Sequence, residues 1–382
     1  MGIPDTAVND RITKQIEQQV AEGRQLGVQV CAYRHGERIV DTWAGTVGPG
    51  DDRPVGPDTL FSSFSTTKGV AATALHILVD RGVIDPSAPV AEYWPEFAAK
   101  GKGHVTVTQA VSHLAGLHTT PVPNTREHVV DWQKGVDYVA NLEPAWEPGK
   151  ETGYHAITFG WIIGGIVEAA SGRHIREVIR EDVAKPLGIE DEMFVGIPDG
   201  VEDRLTKLQT PETPREMPVE IPPDHDFFKA MPARTDVNYN ELDVRKACLP
   251  SANGHFTARA LARMYAALAF GGALDGVQLM SPERIQAMSA VVTRDMDRVI
   301  MRPMPKGTGY FLGGAVEGVV GSMGPRETAF GHPGAGGSIA FADPEAGLSV
   351  AVTLNKMQNS LQGEGPTFEI CDAIRDELAV NT

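Results

Sequence analysis

The sequence predicts a mixed α/β (α+β) protein: an antiparallel sheet flanked by N- and C-terminal helices, with a mostly helical lobe inserted into it. Three observations carry that expectation: strand-like runs at both chain ends, helical periodicity through the middle, and an amphipathic helix near each terminus. Ile12, Ile16 and Val20 recur at helical spacing, and the run stops near Gly23. Residues 28–34 and 39–44 are β-rich runs around Arg34-His35-Gly36-Glu37, which has the composition of a hairpin turn. From residue 65 to about 290 the signals are mostly helical, with segments at 161–171, 175–184 and 257–270. Strand signals return at 337–342 and 348–354, joined by Asp343-Pro344-Glu345-Ala346-Gly347, and a last helix spans 367–379. Strands from both ends would share one sheet, so the expected division is a discontinuous sheet domain, 1–60 with 300–382, and a helical lobe, 61–299. Between 197 and 250, Pro211, Pro214, Pro218, Pro222, Pro223 and Pro232 forbid long helices. That stretch is either a lid over the site or a surface excursion.

With 382 residues and 42% hydrophobic content, the chain can bury a large core. Thirty-four basic against 50 acidic residues give a net charge of −16, which repels nucleic acid and anionic membranes and leaves small molecules as the expected partners. Cys31, Cys248 and Cys371 are odd in number and far apart, so buried thiols are expected rather than a disulfide framework. Together with an N-terminus that lacks a basic patch and an apolar stretch, this favours a cytoplasmic location. No apolar run approaches the ~18 residues of a membrane span. His104, His113, His118 and His128 cluster without ligand spacing, so no metal and no other cofactor is expected.

Ser65-Thr66-Thr67-Lys68 is the segment richest in chemistry. Residues three apart on a helix share a face, so the Lys68 amine can reach the Ser65 hydroxyl. A serine is a weak nucleophile until a base takes its proton, and an amine does so only when neutral. Phe61, Phe64, Val70, Ala71, Ala74 and Leu75 supply the apolar setting that would lower the Lys68 pKa. Ser65 and Thr66 read as cap-type residues of this helix, with Gly82 as its stop. Taken alone, the pair is also compatible with a helix cap followed by a solvated lysine.

The chain then carries Tyr154-His155-Ala156 and His332-Pro333-Gly334, in that order, with Leu114-Ala115-Gly116-Leu117 following Ser112-His113. These motifs resemble those of the serine β-lactamase and penicillin-binding-protein superfamily, and within it the class C β-lactamase-like branch of esterases and transacylases. The resemblance implies a β-lactamase/transpeptidase-like fold, Ser65 as nucleophile, and Lys68 and Tyr154 sharing general acid/base duty, with a cationic lysine nearby making a Tyr154 phenolate plausible. It implies an oxyanion hole from the backbone N–H groups of Ser65 and Ala335, and substrate contacts from His155, His332 and Gly334.

The chain departs from that pattern where the family's Lys-Thr-Gly is replaced by His332-Pro333-Gly334 and its Tyr-x-Asn by Tyr154-His155-Ala156. A neutral histidine and a proline without N–H hold a carboxylate poorly, and Ala156 offers no side-chain amide. Neutral carboxylic esters are therefore the expected acyl donors, as in family-VIII-type esterases. The acyl group would go to water, or in a transacylase to an amine or alcohol. Trp146, Trp161, Phe227, Phe228 and Tyr239 are candidates for an apolar pocket or for core packing. A non-catalytic ligand-binding module on the same fold, and a β-lactamase, are the remaining readings.

Overall fold

Period-two alternation along the strand Gly27–Arg34 sends Val28, Val30 and Ala32 to one face of a sheet and Cys31 and Tyr33 to the other. In the computed structural model, which describes residues 4, 6–211, 221–232, 235–360 and 363–381, this strand is central to a seven-stranded antiparallel sheet. Its order is Phe311–Leu312, Phe330–Pro333, Ile339–Asp343, Leu348–Leu354, Gly27–Arg34, Glu37–Gly48 and Asp51–Pro54. The two chain ends join where Val28 pairs with Leu354 and Arg34 with Leu348. The expected hairpin is present: Arg34 pairs with Glu37, and His35 and Gly36 take φ of 48° and 85°, the left-handed pair that a two-residue turn requires.

The helices Ala7–Ala21 and Pro366–Glu377 cover one face, burying Ile12, Ile16, Ile370 and Ile374 against Val30, Val350 and Val352. Each such fully buried branched side chain contributes about 1.5–3 kcal/mol. The terminal helices thus flank the sheet as expected, on one side of it. The other side is covered by the helix Ala258–Ala269, from the stretch assigned to the helical lobe. Small residues make that approach possible, since Ala340, Ala342 and Ala351 face an alanine-rich helix and Ser349 Oγ donates to the Ala262 carbonyl at 2.8 Å.

Within the mostly helical middle lies a second sheet, formed by Phe61–Ser62, Gly254–Phe256 and Met193–Val195, which the sequence reading missed. The 175–184 helix begins as α-helix at Ile175–Val178 and continues as a π-helix over Ile179–Ala184. Residues 337–338 do not join the strand Ile339–Asp343, because Ala335–Gly337 is a tight 3₁₀ turn with Gly336 and Gly337 at φ of 81° and 112°. Among its described residues, the proline-rich stretch forms short helices, Glu202–Arg204, Asp226–Ala230 and Leu242–Lys246. Pro214 and Pro218 lie outside the described residues.

Candidate active site

The helix Thr67–Asp80 starts one residue later than a Ser65 cap would place it, with Thr66 at the cap position. Phe64 holds a left-handed φ of 43°, Ser65 follows in a turn, and Thr66 makes no side-chain capping bond. Thr67 does the fastening: its hydroxyl donates to the Phe64 carbonyl at 2.5 Å and accepts from the Gly254 N–H at 2.9 Å, tying the turn to the small sheet. Ser65 therefore sits at the positive end of a 14-residue helix whose first two turns are buried.

Lys68 is fully buried, and its Nζ lies 3.1 Å from Ser65 Oγ, 2.8 Å from the Ala156 carbonyl and 2.9 Å from the Ser251 carbonyl. Burial, with no carboxylate partner, pushes its pKa well below the ordinary lysine value. A neutral amine has two N–H groups and one lone pair. The two carbonyls take the N–H groups, and the lone pair is left for the Ser65 hydroxyl.

Tyr154 Oη lies 2.8 Å from the same Ser65 Oγ, so the serine oxygen is held between amine and phenol. Burial raises the Tyr154 pKa further than the Ser65 hydrogen bond lowers it, and the Asp297 carboxylate raises it again. The resting pair is thus amine and phenol. The cationic lysine beside a phenolate that the resemblance made plausible is not favoured here, because burial penalises both charges.

Asp297 and Lys306, which the sequence reading did not single out, fix Tyr154 from behind. Asp297 Oδ1 accepts from the backbone N–H groups of Tyr154, Val299 and Ile300 at 3.1, 2.9 and 2.8 Å. Its Oδ2 pairs with Lys306 Nζ at 2.7 Å in a pair with no exposed side-chain surface, and Lys306 also donates to Thr152 Oγ1 at 2.9 Å.

His155 does not face substrate. Its Nδ1 binds the Gly153 carbonyl at 2.7 Å and its Nε2 accepts from the Leu117 N–H at 2.8 Å, so both nitrogens of this fully buried ring are consumed by backbone. No sequence pattern marks this use. His332 lies closer to the chemistry, stacked on Phe311 at 4.5 Å and on Tyr154 at 5.9 Å between ring centroids. Its Nδ1 binds the Pro333 carbonyl at 2.7 Å while Nε2 has no partner, and burial lowers the ring's pKa well below the ordinary histidine value.

Gly334 brings the third motif against the serine turn. A Cβ there would stand 2.4 Å from the Ser63 carbonyl and 2.2 Å from Ser338 Oγ, so only glycine allows this approach. Ser338 Oγ donates to the Ser63 carbonyl at 2.9 Å and lies 3.3 Å from Thr66 Oγ1, latching the two segments together. Ala335 opens the tight turn immediately after this contact.

Of the two roles open to the aromatic candidates, they take packing. Trp161 is sealed in the core, Trp146 is buried and stacked on His118, Tyr239 meets Phe64 edge to face at 5.0 Å, and Phe227 and Phe228 are half-buried against each other. Around Tyr154 the wall is instead Ala156, Val299 and Phe311, with Ala230 and Met231 contributed by the proline-rich stretch. A pocket of about 300 Å³ opens beside Ala335, bounded by Met304, Phe311, Met323, Gln358 and Thr367. Ser65, Lys68 and Tyr154 are not part of its lining; it meets the reacting centre through Phe311, Gly334 and Ala335.

A serine oxygen within hydrogen-bonding distance of both a buried amine and a buried phenol, beside a large antiparallel sheet, defines a serine-type acyl-transfer architecture. The chain belongs to the beta-lactamase family, whose profile matches residues 12–369. It is 35% identical over 357 residues to the Mycobacterium tuberculosis protein described as esterase/beta-lactamase LipL, covering 89% of this chain and 79% of that one. Among solved structures it resembles a penicillin-binding protein homolog from Caulobacter crescentus, with a TM-score of 0.90, 36% identity, and coverage of 98% and 99% of the two chains. A family VIII carboxylesterase superposes with a TM-score of 0.89 at 32% identity, covering 98% of this chain and 99% of the other.

Proposed function

We propose that this protein hydrolyses neutral carboxylic esters through an acyl-enzyme on Ser65. The observation that carries the reading is the placement of Ser65 Oγ, 3.1 Å from an amine whose other two polar contacts are carbonyls and 2.8 Å from a buried phenol. Lys68 Nζ takes the Ser65 proton as Oγ attacks the ester carbonyl, and the resulting ammonium has three acceptors around it. The backbone N–H groups of Ser65 and Ala335 face the oxygen that becomes negative. Tyr154 gives its proton to the departing alkoxide as the C–O bond breaks, and Lys68 returns one to Tyr154. Water repeats the sequence: it loses a proton to the same pair and attacks the acyl carbon, and Ser65 leaves with the proton restored.

The descriptions of LipL and of the family VIII carboxylesterase support the ester assignment. Efficient β-lactam turnover is not part of it, because His332-Pro333-Gly334 offers no cation for a carboxylate. A two-lobe division at 1–60 with 300–382 and 61–299 is supported by the seven sheet strands, all of which fall in the first set. A cytoplasmic location is supported by three free, buried cysteines. No helix among the described residues is long and apolar enough to cross a membrane.

Incubation with p-nitrophenyl butyrate followed by intact mass measurement tests the reading. An adduct of one butyryl group that turns over in water and is lost in Ser65→Ala is expected. An adduct cleared only by added amine or alcohol identifies a transacylase, and esterase activity that persists in Ser65→Ala overturns the mechanism.

A further inference from the structure

The pocket beside Ala335 contains polar groups that the chemistry at Ser65 does not use. Thr367 lines the pocket and is 6% exposed, and its Oγ1 is buried without a hydrogen-bond partner. Gln358 Nε2, also in the lining, is sealed from solvent and equally unpaired. Buried polar groups are ordinarily satisfied, and two left open at one cavity keep their desolvation cost until a partner arrives. Both sit against the same turn: a Cβ on Gly337 would stand 3.1 Å from Gln358 Oε1 and 3.2 Å from Thr367 Oγ1. The Gln358 N–H donates to the Gly336 carbonyl at 2.9 Å, which locks this arrangement to the segment carrying Ala335.

The charge of the pocket restricts what can pair there. Among the described residues its one charged lining group is the exposed Glu364, and neither lysine nor arginine lines it. The helix Pro366–Glu377 presents its first turn, Thr367 and Phe368, to the cavity, so the polar end favours an acceptor oxygen. Glu364 opposes a full negative charge. Met304, Phe311, Val316 and Met323 supply its apolar wall, beside Ser322, Ser338 and Ser360. Phe311 also packs on Tyr154 at 5.6 Å between centroids, which puts the pocket on the side where the departing oxygen collects its proton.

We propose that this pocket holds the alcohol arm of the ester, and that Gln358 and Thr367 select an uncharged arm carrying a hydrogen-bond acceptor, such as an ether or ketone oxygen, near its far end. The inference rests on Ser65 being the nucleophile, and it adds the class of substrate.

The test uses butyrate esters that share one acyl group and differ in the alcohol: a plain alkyl arm, an arm of equal length with an ether oxygen, and one ending in a carboxylate. The ether arm is expected to exceed the alkyl arm in kcat/KM by roughly two- to tenfold, the value of one net hydrogen bond. Thr367→Val and Gln358→Met should each reduce that ratio, and together bring it to about one. The butyryl-enzyme formed from every ester should deacylate at the same rate, because the alcohol has left. A ratio that survives both substitutions, a preference that follows the acyl arm in the converse series, or a carboxylate arm that is the best substrate would overturn the proposal. Absence of any Ser65 adduct would instead remove the function on which it stands.

Discussion

Replacing Tyr154 with phenylalanine removes a single hydroxyl whose hydrogen bond is the 2.8 Å contact with Ser65 Oγ. The ring keeps its packing against His113, Phe311 and His332, and the backbone N–H keeps Asp297. Losing that hydrogen bond should lower stability by about 0.5–1.5 kcal/mol, a shift of a few degrees in Tm. Positioned proton transfer is worth about 10²–10⁴ in rate, or roughly 2.7–5.4 kcal/mol of barrier. A large loss of kcat with a small loss of Tm is therefore expected. The loss should also depend on the leaving group. A p-nitrophenolate departs without a proton, whereas an alkoxide needs one, so the deficit of Tyr154→Phe should be much larger for ethyl butyrate than for p-nitrophenyl butyrate. Steady-state rates on the two esters, beside a thermal melt, provide the assay. Equal deficits for both esters, or activity within threefold of the parent, would refute the role given to Tyr154.

Breaking the Asp297–Lys306 pair by Lys306→Met should destabilise the protein by about 3–5 kcal/mol, since it leaves a buried carboxylate uncompensated, with the double variant Asp297→Asn/Lys306→Met recovering part of the loss in denaturant unfolding. Gly334→Ala should reduce kcat and lower stability by roughly 1–3 kcal/mol, because its Cβ must displace Ser338 and the Ser63 backbone; wild-type rates in that variant would show that the approach has no importance. Stability should fall as pH drops from about 6.5 toward 3. His76, His155 and His255 are buried neutral with pKa values lowered to about 3, so the unfolded chain binds more protons throughout that window. Urea midpoints across the range check the slope, and a flat profile would contradict the neutral burial of these rings.

Local signals made much of this protein legible. Ile12 and Ile16 announced a helix that buries both, and Arg34-His35-Gly36-Glu37 announced a turn whose middle residues need positive φ. Ser65 and Lys68 could be paired because their contact is set by one helical turn. Tyr154 joins them from 89 residues away, and only the likeness of motifs brought it to the same place. Other parts leave no periodic trace. Asp297 and Lys306 look like surface charges until folding buries them against each other, and two-residue strands such as Met296–Asp297 carry too short a pattern to read. His155 stands beside the tyrosine in sequence, yet its ring points to backbone. Gln358 and Thr367 gain meaning only from what fails to pair with them. That the helical lobe lies against the sheet was legible, but not that Ala258–Ala269 is the helix making the contact, since its small alanines carry no mark of that role.

The protonation state of Lys68 is the most direct measurement on the catalytic account. With lysine side chains labelled at Cε and Nζ, the Lys68 resonance can be assigned by comparison with Lys68→Met and followed as pH is raised toward the ordinary lysine value of 10.5. An amine that is already neutral well below that value, with activity rising on the same titration, is the expected result. A Lys68 that remains ammonium until near 10.5, in an enzyme that is active throughout, would contradict the proposed base.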